Sequence, residues 1–404
     1  MKIDLMRKID YWAGVPLCCL FSVLGLVGKV FGYKRPKKKA VEKVLFIKLS
    51  ELGAIVLAYP LLKRVKDENP LARLFFITFA KNNDIFPLLG GIIPRENILS
   101  IREDSLGVFV LDTLRIIRRL RKEKVDVAFD LEFFSRFSAL LSYLSRIDKR
   151  IGFYKYAFEG LYRGSLLTHK IQYNPLSHVS KTYLSLSQVI LKESKDTPEL
   201  EEPLDNKEVV FPEYAVKNDV KERIQSKLKD LGADTAKRLF LLNPGEGVLP
   251  VREWPLDNFI ALSRKILEDS GNYIIIIGTE GVARKASILL EKLDNPRCRS
   301  MIGQTSLEEL IGLFNNAHIL ISNDCGLAHL AMLSSIKKFI IFGPESPQIF
   351  SPLGDNNWII YSNWPCSPCL SVLNHRISTC SDNRCLKAIQ PDSVYELIKN
   401  AFSK

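Results

Sequence analysis

The stretch Ile319–Phe350 reads ILISNDCGLAHLAMLSSIKKFIIFGPESPQIF, and its pattern decides the fold. The apolar run Ile319 to Ser322 has the length and composition of a buried strand. Asn323, Asp324, Cys325 and Gly326 break it, Leu327 to Leu333 carries helical spacing, and a second apolar run, Phe339 to Phe342, closes at Gly343 and Pro344. That order is one βαβ unit. In open α/β sheets ligands bind beyond the carboxyl ends of the strands, where a helix start offers N–H groups and a positive dipole end to an anion such as a phosphate. Asp324 can accept from backbone N–H groups or from a ribose, Gly326 lets the chain approach a ligand closely, and His329 falls within the first turn or so of the helix. The same residues suit a plainer arrangement, in which Asp324 caps the helix and His329 packs under a loop.

Outward from this unit the alternation repeats. Upstream lie a strand at Leu239–Leu242, a helix at Pro255–Leu267, a strand at Tyr273–Ile277 followed by Gly278, and helices at Val282–Leu293 and Leu307–Phe314. Between the first strand and the first helix runs a Gly/Pro loop, NPGEGVLPVREW (Asn243–Trp254), at a strand's carboxyl end. Arg252 can clamp a phosphate there, or it can be a surface arginine beside a packed Trp254. The N-terminal half has the same rhythm: a strand at Val44–Leu49, a helical pattern from Ala54 to Lys66, strands at Leu74–Phe79 and Val125–Leu131, and a basic helical pattern at Leu111–Lys124. Such alternation argues for parallel sheets covered on both faces. Between the halves, Glu193–Pro212 is polar, acidic and proline-bearing, as a linker is. At 404 residues the chain is about twice the usual domain size. The expectation is α/β: two doubly wound, Rossmann-type domains facing a cleft, at 41–205 and 206–404.

The chain opens with an apolar run, Tyr11–Val30, close to the length that spans a bilayer, though Pro16 and glycines 14, 25 and 28 weaken it as a straight span. Lys34–Lys39 follows as KRPKKK, a basic collar that favours the cytoplasmic side and anionic headgroups. Residues 1–40 are therefore expected to be an uncleaved anchor, with 11–33 in or on the membrane and the rest of the protein at its cytoplasmic face. The net charge of +12 calls for an anionic partner. Nucleic acid is disfavoured, because Arg115, Arg118, Arg119, Arg121, Lys122 and Lys124 lack interleaved aromatics and read as a solvated helix face. Within the loop 365–386, Cys366, Cys369, Cys380 and Cys385, with His375 among them, have a spacing that can close on a zinc ion; reduced thiols tightening the loop are the alternative.

Taken together, Asp324 to Ala331 with Phe342, Gly343, Pro344 and Pro347 resembles the donor-site signature of glycosyltransferase family 9, the lipopolysaccharide heptosyltransferases. The resemblance extends over nearly all of the chain after the anchor. It includes Lys48, Gly53 and Pro60; Asp126–Asp130 with Arg150–Phe153; His178 and Tyr183; Asn243, Pro244 and Gly245 with Arg252, Trp254 and Pro255; and, with altered spacing, the four C-terminal cysteines.

The resemblance implies a GT-B architecture, with a nucleotide diphosphate sugar bound by the C-terminal domain and a lipid-linked saccharide acceptor bound by the N-terminal one. It implies inversion, no obligatory metal, and ADP as the favoured nucleotide. Asp324, Gly326, Leu327, Ala328 and His329 would surround the diphosphate through backbone N–H groups, near Gly245; Arg252 would stabilise the leaving group; Glu280 would meet the ribose; Lys48 would lie near the sugar. One departure stands out. The family's turn after the first strand reads Gly-Asp, the aspartate being the base, whereas this chain reads Gly53-Ala54. Glu51 is the favoured substitute, with Asp130 and Glu132 as alternatives; the remaining possibility is a silent member serving as a binding or scaffold subunit in envelope glycan assembly.

Overall fold

The structure, a computed structural model, describes residues 3–30, 41–154, 162–195, 197–233, 237–245, 249–374 and 376–402. The basic collar Lys34–Lys39 lies outside the described residues, as do Glu246–Val248 and His375. The chain divides into two compact units, Met1–Val210 and Phe211–Lys404.

The first unit is built on six parallel strands: β1 (Lys43–Ile47), β2 (Arg73–Phe79), β3 (Ile98–Ile101), β4 (Val127–Asp130), β5 (Lys149–Tyr154) and β6 (His169–Gln172), in the order β3-β2-β1-β4-β5-β6. The second has β7 (Arg238–Asn243), β8 (Asn272–Ile276), β9 (Cys298–Ser300), β10 (Ile319–Asn323), β11 (Lys337–Phe342) and β12 (Asn357–Tyr361), ordered β12-β11-β10-β7-β8-β9. Each half thus winds its third, second, first, fourth, fifth and sixth strands in the same doubly wound sequence. The strands are apolar on both faces because both faces are covered. In β1, Leu45 and Ile47 join Phe75 and Ile77 in one core, while Phe46, on the opposite face, stacks on Phe76 and Phe129 at 6.3 and 5.3 Å.

Several expectations are corrected. The apolar N-terminal run is two helices, α1 (Ile3–Trp12) and α2 (Gly14–Val30), and the first starts well before Tyr11. The pattern Ala54–Lys66 is likewise split, into α3 (Leu52–Leu57) and α4 (Tyr59–Glu68). Pro60, at the start of the latter, has no N–H to continue the ladder. The basic helix, α5 (Leu106–Glu123), begins earlier than its charges suggest. Its N-cap is Ser105, whose Oγ accepts from the Val108 N–H. It is followed by α6 (Arg136–Leu144). The acidic stretch after Glu193 is not plain linker, since Glu199 bridges in parallel with Ile171 of β6.

Strand β11 carries a lysine that its apolar neighbours conceal. Lys338 is 3% exposed, its ammonium donates to the Ile336 carbonyl at 2.8 Å, and burial pushes its pKa down to about 8. Between that value and the ordinary lysine range the unfolded chain binds the proton more tightly, so this group makes stability rise as pH increases through that window. Lys338→Met removes the buried charge at neutral pH. It is expected to raise Tm by at least about 2 °C and to flatten the alkaline rise, measured by thermal unfolding across pH.

Candidate active site

In the second unit the chemistry collects where β7 and β10, adjacent in the sheet, end in asparagines. Asn243 Nδ2 donates to Ser322 Oγ at 3.0 Å, and its Oδ1 accepts from the Gly245 N–H at 3.3 Å. The fully buried Asn323 accepts from the Trp254 N–H at 2.9 Å and donates to the Pro244 carbonyl at 3.2 Å. Two buried amides therefore fix both ends of the loop that carries Arg252, and Trp254 anchors it through Nε1–H to the Ile389 carbonyl at 3.0 Å. A side chain at Gly245 would collide with Val282, so the loops after β7 and β8 pack directly on each other. Glu280, in the second of these loops, is exposed and leans over Gly303, which sits at φ +68°.

Arg252 reaches across to the end of β10. Its Nη2 donates to Asp324 Oδ2 at 2.6 Å and to the Asp324 carbonyl at 2.8 Å. Asp324 is therefore the carboxylate that orients Arg252, and the cap position of the helix behind it is held by Cys325. The helix expected over Leu327–Leu333 is only Gly326–Leu330, followed by a 3-10 turn at Ala331–Leu333. Five residues make a weak macrodipole, so the fixed positive charge at this strand end is the guanidinium. The expected ring of backbone donors is also narrower. The Asp324 N–H donates to the Ile341 carbonyl at 3.0 Å and the Ala328 N–H to the Cys325 carbonyl at 3.1 Å. Gly326 and Leu327 are half-buried and reach the surface, whereas Ala328 and His329 are buried. Burial pushes the Cys325 thiol pKa up, which keeps it protonated and unreactive beside Asn243.

Neither asparagine stands out in the sequence, because their value lies in bonds to residues far along the chain. Asn323→Ala strands the buried Trp254 N–H. The expected cost is about 1–3 kcal/mol of stability in chemical denaturation, with weaker nucleotide binding as the Arg252 loop loosens.

In the first unit a second group gathers at the ends of β1 and β4, again adjacent strands. Lys48, 2% exposed, pairs with Glu132 at 3.2 Å and with Glu51 at 3.7 Å. Glu132 also accepts from the Leu49 N–H at 2.7 Å. Asp130 is committed to structure: it is 1% exposed, pairs with Arg163 at 3.2 Å and accepts from Ser138 Oγ at 2.9 Å, and burial raises its pKa. Of the three carboxylates considered as bases, Glu51 is the open one, with 43% of its side chain exposed against 13% for Glu132. Its backbone sits at φ 69°, a left-handed conformation that costs a non-glycine residue about 1–3 kcal/mol and that collects at functional turns. Ala54, which stands where a family aspartate would, follows in the first turn of α3. Of the other residues that carry the family resemblance, Tyr183 is fully buried, stacked on Phe133 at 5.6 Å, and His178 caps the Val179–Ser185 helix.

The four C-terminal cysteines are free thiols: Cys366 and Cys380 exposed, Cys369 half-buried, Cys385 buried. Among the described residues, which leave out His375, no group of three or more His, Cys, Asp or Glu side chains is placed to hold a metal. The loop is pinned by polar bonds. Arg376 pairs with the buried Glu345, just after β11, at 3.1 Å. Asn383 Nδ2 donates to the Glu253 carbonyl at 2.9 Å, beside Arg252. Asn383 was not legible as a site residue for the same reason as Asn323.

The two doubly wound halves match the GT-B class of glycosyltransferase folds. The solved E. coli ADP-heptose lipopolysaccharide heptosyltransferase II superposes with a TM-score of 0.64 at 21% identity, over 89% of this chain and 98% of that one. A family 9 glycosyltransferase from Veillonella parvula gives 0.68 at 14% identity, over 89% and 96%. The sequence profile of glycosyltransferase family 9 (heptosyltransferase) matches residues 113–376, and the chain belongs to that family. Among characterised relatives, lipopolysaccharide heptosyltransferase 2 of Salmonella typhimurium is 22% identical over 321 residues, 79% of this chain and 87% of its own length.

Proposed function

We propose that this glycosyltransferase moves a heptose from ADP-heptose to a lipid-linked saccharide of the cell envelope, at the cytoplasmic face of the inner membrane. The observation that carries the reading is Arg252, held by Asp324 at the end of β10 beside the Asn243–Gly245 turn. Cleavage of a sugar–diphosphate bond leaves negative charge on the departing oxygen, and a pre-oriented guanidinium meets that charge without reorganisation. Gly326 and Leu327 border the diphosphate, His329 packs beneath it, and Glu280 serves the ribose.

In the first unit Glu51 takes the proton from the acceptor hydroxyl. The freed oxygen attacks the anomeric carbon, the bond to the diphosphate breaks, and ADP departs with the electron pair, inverting the configuration. Lys48 holds Glu51 in place from one side, at 3.7 Å, and Glu132 holds Lys48 from the other, at 3.2 Å. The relatives' names supply the sugar and nucleotide in this reading.

The test is incubation of the purified chain with ADP-heptose and a lipid extract of heptose-deficient envelopes. Release of ADP together with a heptose mass increment on a lipid-linked saccharide is the expected result. Hydrolysis alone, or no ADP release with any lipid fraction, would remove the proposal.

A further inference from the structure

The N-terminal helices do not leave the first unit; a polar stripe fastens them to it. Asp10, near the end of α1, and Gly14, Cys18 and Ser22 of α2 recur every fourth residue, and all four turn toward the first unit. Asp10 pairs with Arg136 at 3.2 Å and accepts from the backbone N–H groups of Arg136 and Phe137 at 3.0 and 2.8 Å, completing the cap of α6. Gly14 lets the Arg136 side chain pass, since a Cβ there would lie 2.7 Å from Arg136 Cβ. Cys18 is fully buried with Ala139, Leu140 and Leu166. Ser22 Oγ accepts from the Ser165 N–H at 2.9 Å. The opposite face carries Trp12, Leu17, Leu20, Leu24 and Val27, all exposed, with Trp12 at 75%.

Leu5–Val27 is long and apolar enough to cross a membrane by length and composition. A spanning helix, however, is surrounded by hydrocarbon through about 30 Å, which would draw Arg136 and the rest of the docking surface into the bilayer core, at several kcal/mol for each charge. We infer that α1 and α2 form a monotopic anchor, seated lengthwise in one leaflet of an anionic bilayer with the polar stripe held by the protein and the apolar face in the lipid.

A second patch extends the same surface. Phe109 of α5 packs on Phe137 of α6 at 5.0 Å, and Met6 of α1 joins that cluster. On the outer side of α5, Leu106, Val110 and Leu114 are exposed at helical spacing. Charge complementarity identifies the occupant as anionic lipid: Lys8 on α1 and Arg115, Arg118 and Lys122 on α5 are exposed, and the sequence after α2 carries KRPKKK at 34–39. Apolar residues rimmed by lysine and arginine are what a headgroup boundary selects. The inference deepens the reading of a membrane-borne acceptor, but its readout is binding and not transfer.

The test uses the full chain, with a protease-cleavable tag ahead of residue 1, and a Leu20→Glu/Leu24→Glu variant. Both substitutions are at exposed positions, so nucleotide binding and Tm serve as controls for folding. Wild type should cosediment with vesicles of phosphatidylcholine containing phosphatidylglycerol, at least about tenfold better than with phosphatidylcholine alone, and the variant should lose about tenfold or more of that binding. In sealed inverted inner-membrane vesicles, added protease should reach both the tag and the soluble units. A protected tag would mean a spanning helix and overturn the inference. So would variant binding equal to wild type, or a lipid-free dimer that the variant dissolves while wild type ignores vesicles. Wild type that binds ADP but not the anionic vesicles would sink this inference alone and leave the transferase reading standing.

Discussion

Glu51→Gln is expected to lower the rate of sugar transfer by about a hundredfold to ten-thousandfold while leaving nucleotide binding at its wild-type level. The amide keeps the shape and the reach but cannot take a proton. Glu51→Gly makes the sharper test. At φ 69° glutamate is strained and glycine is not, so the glycine variant should lose transfer as fully as the glutamine one and yet melt at the same temperature or higher. A residue kept only for structure would show the reverse: a change in stability with activity retained. Asp130→Asn is the matched comparison. That carboxylate is sealed between Arg163 and Ser138, and its substitution should appear mainly as lost stability. The two variants are separated by measuring turnover and chemical denaturation on the same preparations.

The second large effect is expected at Arg252. Arg252→Ala removes the charge proposed to meet the leaving diphosphate, and removal of one such preorganised donor costs about a hundredfold to a thousandfold in turnover. It also leaves Asp324, 4% exposed, without its guanidinium. The two roles can be separated by a double-mutant cycle. Adding Asp324→Asn to Arg252→Ala should recover stability, because the stranded carboxylate is gone, while transfer stays low. Arg252→Lys keeps the charge but gives up the fork that bonds both the Asp324 carboxylate and its carbonyl, so intermediate activity with weaker ADP binding is expected.

What the sequence disclosed follows from what each signal depends on. The βαβ unit at Ile319–Phe350 was legible because parallel strands buried on both faces are unbroken apolar runs, and β1, β2, β7, β8 and β10 share that property. Strand β5 was not identified, because Lys149, Arg150 and Gly152 break up its apolar residues, and neither were β3, β6, β9 and β12. These four are short, at the sheet margins or only partly buried, and the sequence His169–Gln172 alternates polar with apolar. Arg252 and Asp324 were each named as site residues, but their 2.6 Å pairing joins positions 72 residues apart and only the fold brings them together. The helix behind Asp324 was over-read in length, since Leu327–Leu333 has helical spacing throughout while the backbone tightens at Ala331. The N-terminal run was legible as apolar, but its docking on the first unit was not. A stripe of one aspartate, one glycine, one cysteine and one serine does not resemble a docking face until Arg136 and Ser165 are seen against it.

The central claim is that the Arg252–Asp324 corner of the second unit holds a nucleotide diphosphate. Calorimetric titration of ADP, with UDP and GDP alongside, into the purified full chain and into Arg252→Ala, Asp324→Ala and Glu51→Gln tests it most directly. The expected result is saturable ADP binding, one per chain, that persists in Glu51→Gln and is lost or greatly weakened in the other two. Absence of binding of any of the three nucleotides to wild type, or equal affinity in Arg252→Ala, would contradict it.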